Sequence, residues 1–244
     1  MKGDKEYIAD IRFGAVSETD DATGKLTQVP YPETLSKRGV ELALQRFIGH
    51  ISQRPPAYSA IKVDGKRSYK IARATEGISE PLAPKKVELI SIEILDFHSS
   101  SHNVLVSKKR APVVKVRIVC ASGFYVRSLA RDLGEMLGTG AYLETLKRTR
   151  VGPLKIENAV SLEQAIAAGT NVSKLFLPNT VVLGGLRLLR IDQKGRGELS
   201  HGRGVLAPGF IDGEICAVDE NGKVLAMGNI KQGRFQPHKL IELD

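Results

Sequence analysis

Tryptophan is absent from this chain, and cysteine occurs only at Cys120 and Cys216. Two cysteines build no disulfide framework, and these are not spaced as a metal site. The histidines His50, His98, His102, His201 and His238 are scattered and suggest no metal constellation either. No apolar run approaches the roughly 20 residues of a membrane span. The opening Met1-Lys-Gly-Asp-Lys-Glu-Tyr7 has no apolar signal region. Long repeats and low-complexity tracts are missing as well. These absences predict a soluble protein of a reducing, cytoplasmic compartment, with no membrane and no metal.

What the chain does have is positive charge, +9 from 36 Lys+Arg against 27 Asp+Glu. Neutralising phosphates releases counterions, so such a surplus favours a polyanionic partner. A generally basic surface would give the same total. Clustering argues for the partner: Lys62, Lys66, Arg67, Lys70 and Arg73 form one group, Lys147, Arg148 and Arg150 a second, and Lys108, Lys109 and Arg110 a third. At 244 residues with 42% apolar content, the chain can bury one large core or two modest ones.

Residues 6–15 predict a strand with Tyr7, Ala9 and Ile11 on one face. Asp20-Asp21-Ala-Thr-Gly24 reads as a turn. Val40, Ala43, Leu44, Phe47 and Ile48 recur at helical spacing. A proline-stiffened loop, Gln53 to Ala60, leads into Ile61–Arg67 with a hairpin turn at Asp64-Gly65, then one or two helical turns over Tyr69–Thr75. Val87 to Phe97 alternates as a strand, and residues 98–112 read as an exposed hairpin tip. Ser161 caps a short helix that turns Leu162, Ala165 and Ile166 inward and closes at Gly169. Phe176-Leu-Pro-Asn179 reads as a connector. Beyond it come short strands at Arg187–Ile191, Val205–Leu206, Glu214–Val218 and Val224–Gly228, with a hairpin turn at Asn221-Gly222.

The densest signal runs from Cys120 to Gly138. Val113 to Cys120 predicts a strand, Ser122-Gly123 a tight turn, and Val126, Leu129, Ala130, Leu133 and Leu137 a helix that Gly138 stops. Tyr125 and Arg127 then stand where strand gives way to helix, as a rigid shelf suited to holding a carboxylate or phosphate.

Three segments resemble the TruB-type tRNA pseudouridine synthases. They are Gln53-Arg-Pro-Pro-Ala-Tyr-Ser-Ala-Ile-Lys-Val-Asp-Gly-Lys-Arg-Ser-Tyr69 with Ala72-Arg73, the Cys120–Gly138 stretch, and Gly138-Thr-Gly-Ala-Tyr-Leu-Glu-Thr-Leu-Lys-Arg-Thr-Arg-Val-Gly152. Asp4-Lys-Glu-Tyr7 and Asp20-Asp-Ala-Thr-Gly24 fit too, and the tail from Leu186 resembles a PUA-like domain. The resemblance implies an α+β fold. A mixed or antiparallel-sheet synthase domain over residues 1–178 would precede a PUA-like RNA-binding β-domain over 183–244. It further implies isomerisation of a uridine in the tRNA T arm to pseudouridine by a monomer needing no cofactor.

By the same resemblance, Tyr7 stacks on the target uracil and accepts a proton after reattachment. Arg127 pairs with a nucleophilic aspartate, Tyr125 lines the pocket, and Leu146 lies under the base. Lys62, Arg67, Tyr69, Arg148 and Arg150 are the candidates for RNA contact. The family carries its aspartate in a Gly-x-Leu-Asp-Pro-type motif within a further N-terminal stretch, and these residues contain no such motif. Asp20, Asp21, Asp64 and Asp132 read as turn or helix-face residues rather than substitutes. The reading is therefore a synthase body shortened at its N-terminus and inactive alone. The alternative is a non-catalytic module that binds and remodels tRNA.

Overall fold

The computed structural model describes residues 3–29, 35–59, 61–63, 66–68, 82–99, 105–106, 109–177, 181, 183 and 186–241. Its contacts divide the chain into Met1–Glu157 and Asn158–Asp244, earlier than the boundary near 178 read from the sequence. The first unit runs β1 (Lys5–Phe13), β2 (Ala15–Ser17), β3 (Leu26–Gln28), α1 (Lys37–Gln45), β4 (Gly49–Gln53), β5 (Lys62–Val63), β6 (Lys66–Arg67), β7 (Lys85–Ser99), β8 (Leu105–Val106), β9 (Lys109–Arg110), β10 (Pro112–Cys120), α2 (Val126–Met136), β11 (Ala141–Val151) and β12 (Leu154–Lys155).

Alternation along β1 sends Tyr7, Ala9, Ile11 and Phe13 to one face and Glu6, Ile8, Asp10 and Arg12 to the other. Antiparallel pairing extends both faces across six strands in the order β12-β11-β1-β10-β7-β4. The apolar face is covered by α1, through Val40, Ala43 and Leu44, and by α2, through Val126, Leu129, Ala130 and Leu133. Ile11, Phe13, Ile118 and Leu129 are wholly enclosed there, each contributing about 1.5–3 kcal/mol by leaving water. The opposite face carries cross-strand ion pairs, Arg117 with Glu93 and Lys115 with Asp10 where it is open to solvent, and Arg12 with Glu144 at the end of β1, where Arg12 itself is buried.

Helix α2 approaches β11 closely. A Cβ on Gly134 would lie 2.2 Å from the Ala141 nitrogen and 2.5 Å from the Gly140 carbonyl carbon, so only glycine lets the helix lie on the strand's first residues. Gly138, with φ 66°, ends the helix as its sequence predicts. Strand β11 itself was not read from the sequence. Its Leu-Lys-Arg-Thr-Arg run lacks clean alternation because two bulges interrupt it, opposite Glu6/Tyr7 and Asp10/Ile11.

One residue of an apolar face and one whole apolar face read from the sequence are not buried. Helix α1 stops at Gln45, and Gly49 turns the chain into β4 at φ 95°, leaving Ile48 exposed rather than on the helix's inner stripe. Helix α3 (Leu162–Ala168) forms as its Ser161–Gln164 capping box dictates, yet Leu162 and Ile166 are each 71% exposed instead of inward. A cap is a local bond and specifies the helix, whereas burial needs an opposing element, and no residue of α3 is buried.

The second unit continues with β13 (Arg187–Arg190), α4 (Gln193–Ser200), β14 (Val205–Leu206), β15 (Gly213–Val218), β16 (Val224–Lys231) and β17 (Arg234–Leu240). Its sheet order is β13-β15-β16-β17-β14, with β13 parallel to β15 and the other pairs antiparallel. Leu189, Ile215, Leu225, Ile230 and Phe235 form its core. This is the small β-domain the sequence indicates, with α4 and β17 added. The Asp64-Gly65 turn and the Tyr69–Thr75 helix lie outside the described residues, although β5 and β6 do pair antiparallel. Among the described residues no helix is long and apolar enough to cross a membrane.

Candidate functional site

Helix α2 begins without a side-chain cap of its own. Tyr125 is its N-cap residue, extended at φ −113°, and its side chain makes no capping bond. A residue from the end of β4 holds the position instead. Buried Gln53 accepts from the Tyr125 amide at 2.9 Å through Oε1 and donates to the Tyr125 carbonyl at 3.0 Å through Nε2. The loop that follows is laced along the helix. Ser128 Oγ and Arg131 Nη2 each donate to the Arg54 carbonyl at 2.8 Å, and Arg127 Nη2 donates to the Tyr58 carbonyl at 3.0 Å. Ser68 closes the loop by donating to the Ala57 carbonyl through its hydroxyl and to the Ile61 carbonyl through its amide. The proline loop and the Tyr125–Arg127 shelf, far apart in sequence, are thus one construction.

The turn between β2 and β3 meets the same helix from another direction. Arg127 Nη1 lies 3.2 Å from Asp21 Oδ2 and donates to the Thr19 carbonyl at 3.4 Å. Arg131 Nη1 lies 2.8 Å from Asp20 Oδ2, and Arg131 also grips Asp132 Oδ1 at 2.8 Å. The sequence reading gave Arg127 a nucleophilic aspartate that these residues lack, and it missed that a different carboxylate, Asp21, lies on the same guanidinium. A contact spanning 106 residues has no local signature. The available clue was Arg127 and Arg131 at i, i+4, which puts both on one helical face.

The two aspartates are held differently. Asp21 Oδ1 accepts from Thr19 Oγ1 at 2.8 Å, the Thr23 amide at 3.0 Å and Thr23 Oγ1 at 2.6 Å. Burial alone would raise its pKa, but the bonds from Thr23 and Thr19 and the Arg127 charge together hold it below the ordinary 3.8. For Asp20, burial outweighs the attraction of Arg131 and Arg127, and the carboxyl is pushed above 3.8. A pocket of about 200 Å³ opens beside it, lined in part by Glu18, Asp20, Arg54 and Arg131.

On the helix-covered face of the sheet, Tyr7 is half-buried and pairs across to Ile118 and Arg148. Ala9 pairs with Leu146, so Leu146 and Arg148 share that face with Tyr7. Leu143, also on this face, is buried, yet Leu146 is 47% exposed. Periodicity alone would have made Leu146 core, and its exposure instead gives the face an open apolar floor. Exposed Arg148 has no ion pair or hydrogen bond among the described residues. The bulge at Thr149 sends Arg150 to the opposite face, where it pairs with Glu6, and Lys147 lies on that side opposite Ile8. The basic group read at 147–150 is therefore divided between the two faces. Lys62 and Arg67 are backbone partners in the β5–β6 pair, and Tyr69 lies outside the described residues. The described residues hold no cluster of three or more potential metal ligands.

Two family models match consecutive parts of the chain. The TruB family pseudouridylate synthase N-terminal domain matches residues 1–126, and the tRNA pseudouridylate synthase B C-terminal domain matches residues 127–178. A tRNA pseudouridine synthase B of Xanthomonas campestris pv. campestris (strain B100) is 34% identical over 242 residues, covering 97% of this chain and 74% of that protein. Its counterpart in Mycobacteroides abscessus is 37% identical over 223 residues, covering 91% of this chain and 70% of the relative. Among solved structures, a Cbf5-Nop10-Gar1 complex matches with a TM-score of 0.64 at 19% identity, covering 99% of this chain and 66% of that one. An H/ACA RNP bound to a substrate RNA containing 2'-deoxyuridine matches with a TM-score of 0.65 at 18% identity, covering 100% and 68%. At those identities the structures share the fold.

Proposed function

The chain belongs to the TruB family of pseudouridylate synthases, and from that premise we propose that it is the body of a cytoplasmic, monomeric enzyme acting on a uridine in the T arm of tRNA. The observation that carries this reading is the convergence of its motif segments. Gln53, Tyr58, Asp21 and Arg127 are bonded together at the start of α2, while Tyr7, Leu146 and Arg148 share the sheet face that α2 packs against.

The reaction breaks the N1–C1′ bond of uridine, forms a C5–C1′ bond, moves a proton off C5 and returns one to N1. It involves no net redox change, so the protein's own acids, bases and positioning groups suffice. The target base, extruded from its stack, lies against the Tyr7 ring with Leu146 beneath it. Tyr7 accepts the proton lost from C5. Tyr125 lines the pocket. Arg127 presents its guanidinium to the nucleophilic carboxylate, keeping it ionised and aimed. Arg148, exposed and without a partner among the described residues, takes a backbone phosphate, with Lys62, Arg67, Tyr69 and Arg150 as further RNA contacts.

Asp21 is not the nucleophile in this reading. It stands in the β2–β3 turn rather than in a Gly-x-Leu-Asp-Pro-type motif, and three hydrogen bonds from Thr19 and Thr23 to Oδ1 tie it into that turn as a partner for Arg127. The 244 residues, purified as they stand, bind a T-arm hairpin and form no pseudouridine. Pseudouridine appears when a polypeptide carrying the family's Gly-x-Leu-Asp-Pro segment is added. Mass spectrometry of a T-arm transcript after incubation checks both statements. Product formed by the chain alone, and abolished by Asp21→Asn, would overturn the assignment of Asp21.

The second reading is a module that binds and remodels tRNA without chemistry, favoured by the carboxylate already seated on Arg127. It requires that adding the aspartate-bearing segment leave the chain inactive while hairpin binding persists.

A further inference from the structure

The turn between β2 and β3 contains a residue that is unfavourable where it stands. Asp20 has a φ of 62°, left-handed and uncommon outside glycine, and Gln232 is the one other described non-glycine residue to share it. Its side chain is only 13% exposed. Arg131, Arg127 and Asp132 of α2 face it, with Glu18 of its own turn and Arg54 of the proline loop. Burial outweighs the arginines in setting its protonation. Backbone strain and desolvation thus fall together on one side chain, a combination found where geometry is held for a purpose.

What Asp20 gains is position. Arg131 donates to Asp20 Oδ2 at 2.8 Å, to Asp132 Oδ1 and to the Arg54 carbonyl. One turn of helix earlier, Arg127 contacts the Thr19 carbonyl, Asp21 Oδ2 and the Tyr58 carbonyl. Each arginine therefore ties the same two loops to the same helix, as two successive rungs. The Asp20 carbonyl accepts from the Leu143 amide, and the Ala22 amide returns a bond to the Leu143 carbonyl, fixing the turn to β11 as well. With Asp20 left-handed, consecutive carboxylates reach consecutive arginines.

We propose that Asp20 and Arg131 are positioning residues, whose ion pair holds the turn so that Asp21 meets Arg127 and the Arg127 guanidinium keeps one orientation. Its functional consequence rests on the reading of Arg127 as part of the active cleft. A pair present for stability loses stability and geometry together when broken. A positioning pair loses geometry alone.

The test is Asp20→Gly, which deletes the carboxylate and suits the left-handed backbone, beside Arg131→Met. Three quantities are read on the 244-residue chain: Tm, the Arg127 Nε–H resonance with its guanidinium rotation rate by NMR, and affinity for a T-arm hairpin. Asp20→Gly should keep its Tm or raise it by about 2–4 °C. Its Arg127 signal should shift, its guanidinium should rotate freely, and its hairpin affinity should fall roughly tenfold. Arg131→Met should reproduce the change at Arg127. An Arg127 signal unmoved in both variants overturns the proposal, as does a Tm loss above about 4 °C in Asp20→Gly. Failure of the wild-type chain to bind the hairpin refutes the functional reading alone, and the NMR and Tm results still decide the positioning role.

Discussion

Gln53 is the residue on which the shelf most directly depends, and its removal can be worked through. Gln53→Ala deletes two bonds to Tyr125, of 2.9 Å and 3.0 Å. The Tyr125 carbonyl keeps a partner, because the Leu129 amide donates to it at 3.1 Å. The Tyr125 amide, at the uncapped start of a helix, loses its acceptor. Orphaning this part-buried donor costs about 1–2 kcal/mol and the second net bond about 1 kcal/mol, so the variant should lose roughly 2–3 kcal/mol. In a domain of this size that is a Tm drop of roughly 5–15 °C. Gln53→Glu sharpens the argument. Ionised, it sets a carboxylate oxygen against the Tyr125 carbonyl, whereas protonated it can donate as glutamine does. Burial and the facing carbonyl raise its folded pKa above the unfolded value. The variant is therefore weakest at high pH and recovers as pH falls through that raised pKa. Urea unfolding of wild type and both variants at pH 5 and pH 8 measures this. A loss below about 0.5 kcal/mol for Gln53→Ala, or a Gln53→Glu stability indifferent to pH, would refute the reasoning.

Gly134→Ala should cost at least about 3 kcal/mol by urea unfolding, because its Cβ would meet the β11 backbone rather than a movable side chain. Asp21→Asn should lose stability at neutral pH. Since the folded pKa of Asp21 lies below 3.8, the wild-type advantage should disappear only as pH falls through that depressed value, read by urea unfolding from pH 7 to pH 3. Cys120, buried with its thiol pushed up to about 11, should resist a thiol reagent at pH 7 in the folded chain and react at once in urea. Arg148→Ala should leave Tm within about 1 °C and make the dependence of log K on log salt for hairpin binding shallower by about one unit.

How much of this was legible in the sequence varies by element. The run from Val113 to Gly138 announced strand, turn and helix, because alternation, a turn glycine and a helical stripe are each local and agree with one another. The N-cap at Ser161 was equally plain. Strand β11 was hidden by its two bulges, which break the alternation a reader looks for and also divide Arg148 from Lys147 and Arg150. The motif segments marked Tyr7, Tyr125, Arg127 and Leu146 through resemblance, but nothing in them marked Gln53 as the clamp on α2. Nor did they mark Asp21 as the carboxylate on Arg127, or the exposure of Leu146.

The sequence by itself determined the helices and strands with regular periods, the charge surplus, and the motifs that give the family, because these reside in neighbouring residues or in composition. Tertiary structure alone decided which carboxylate meets which arginine, which of two basic neighbours shares a face with Tyr7, and which apolar stripes find a partner. Each of those depends on segments brought together by sheet pairing and helix packing, and a bond spanning 106 residues exists only once that packing has formed.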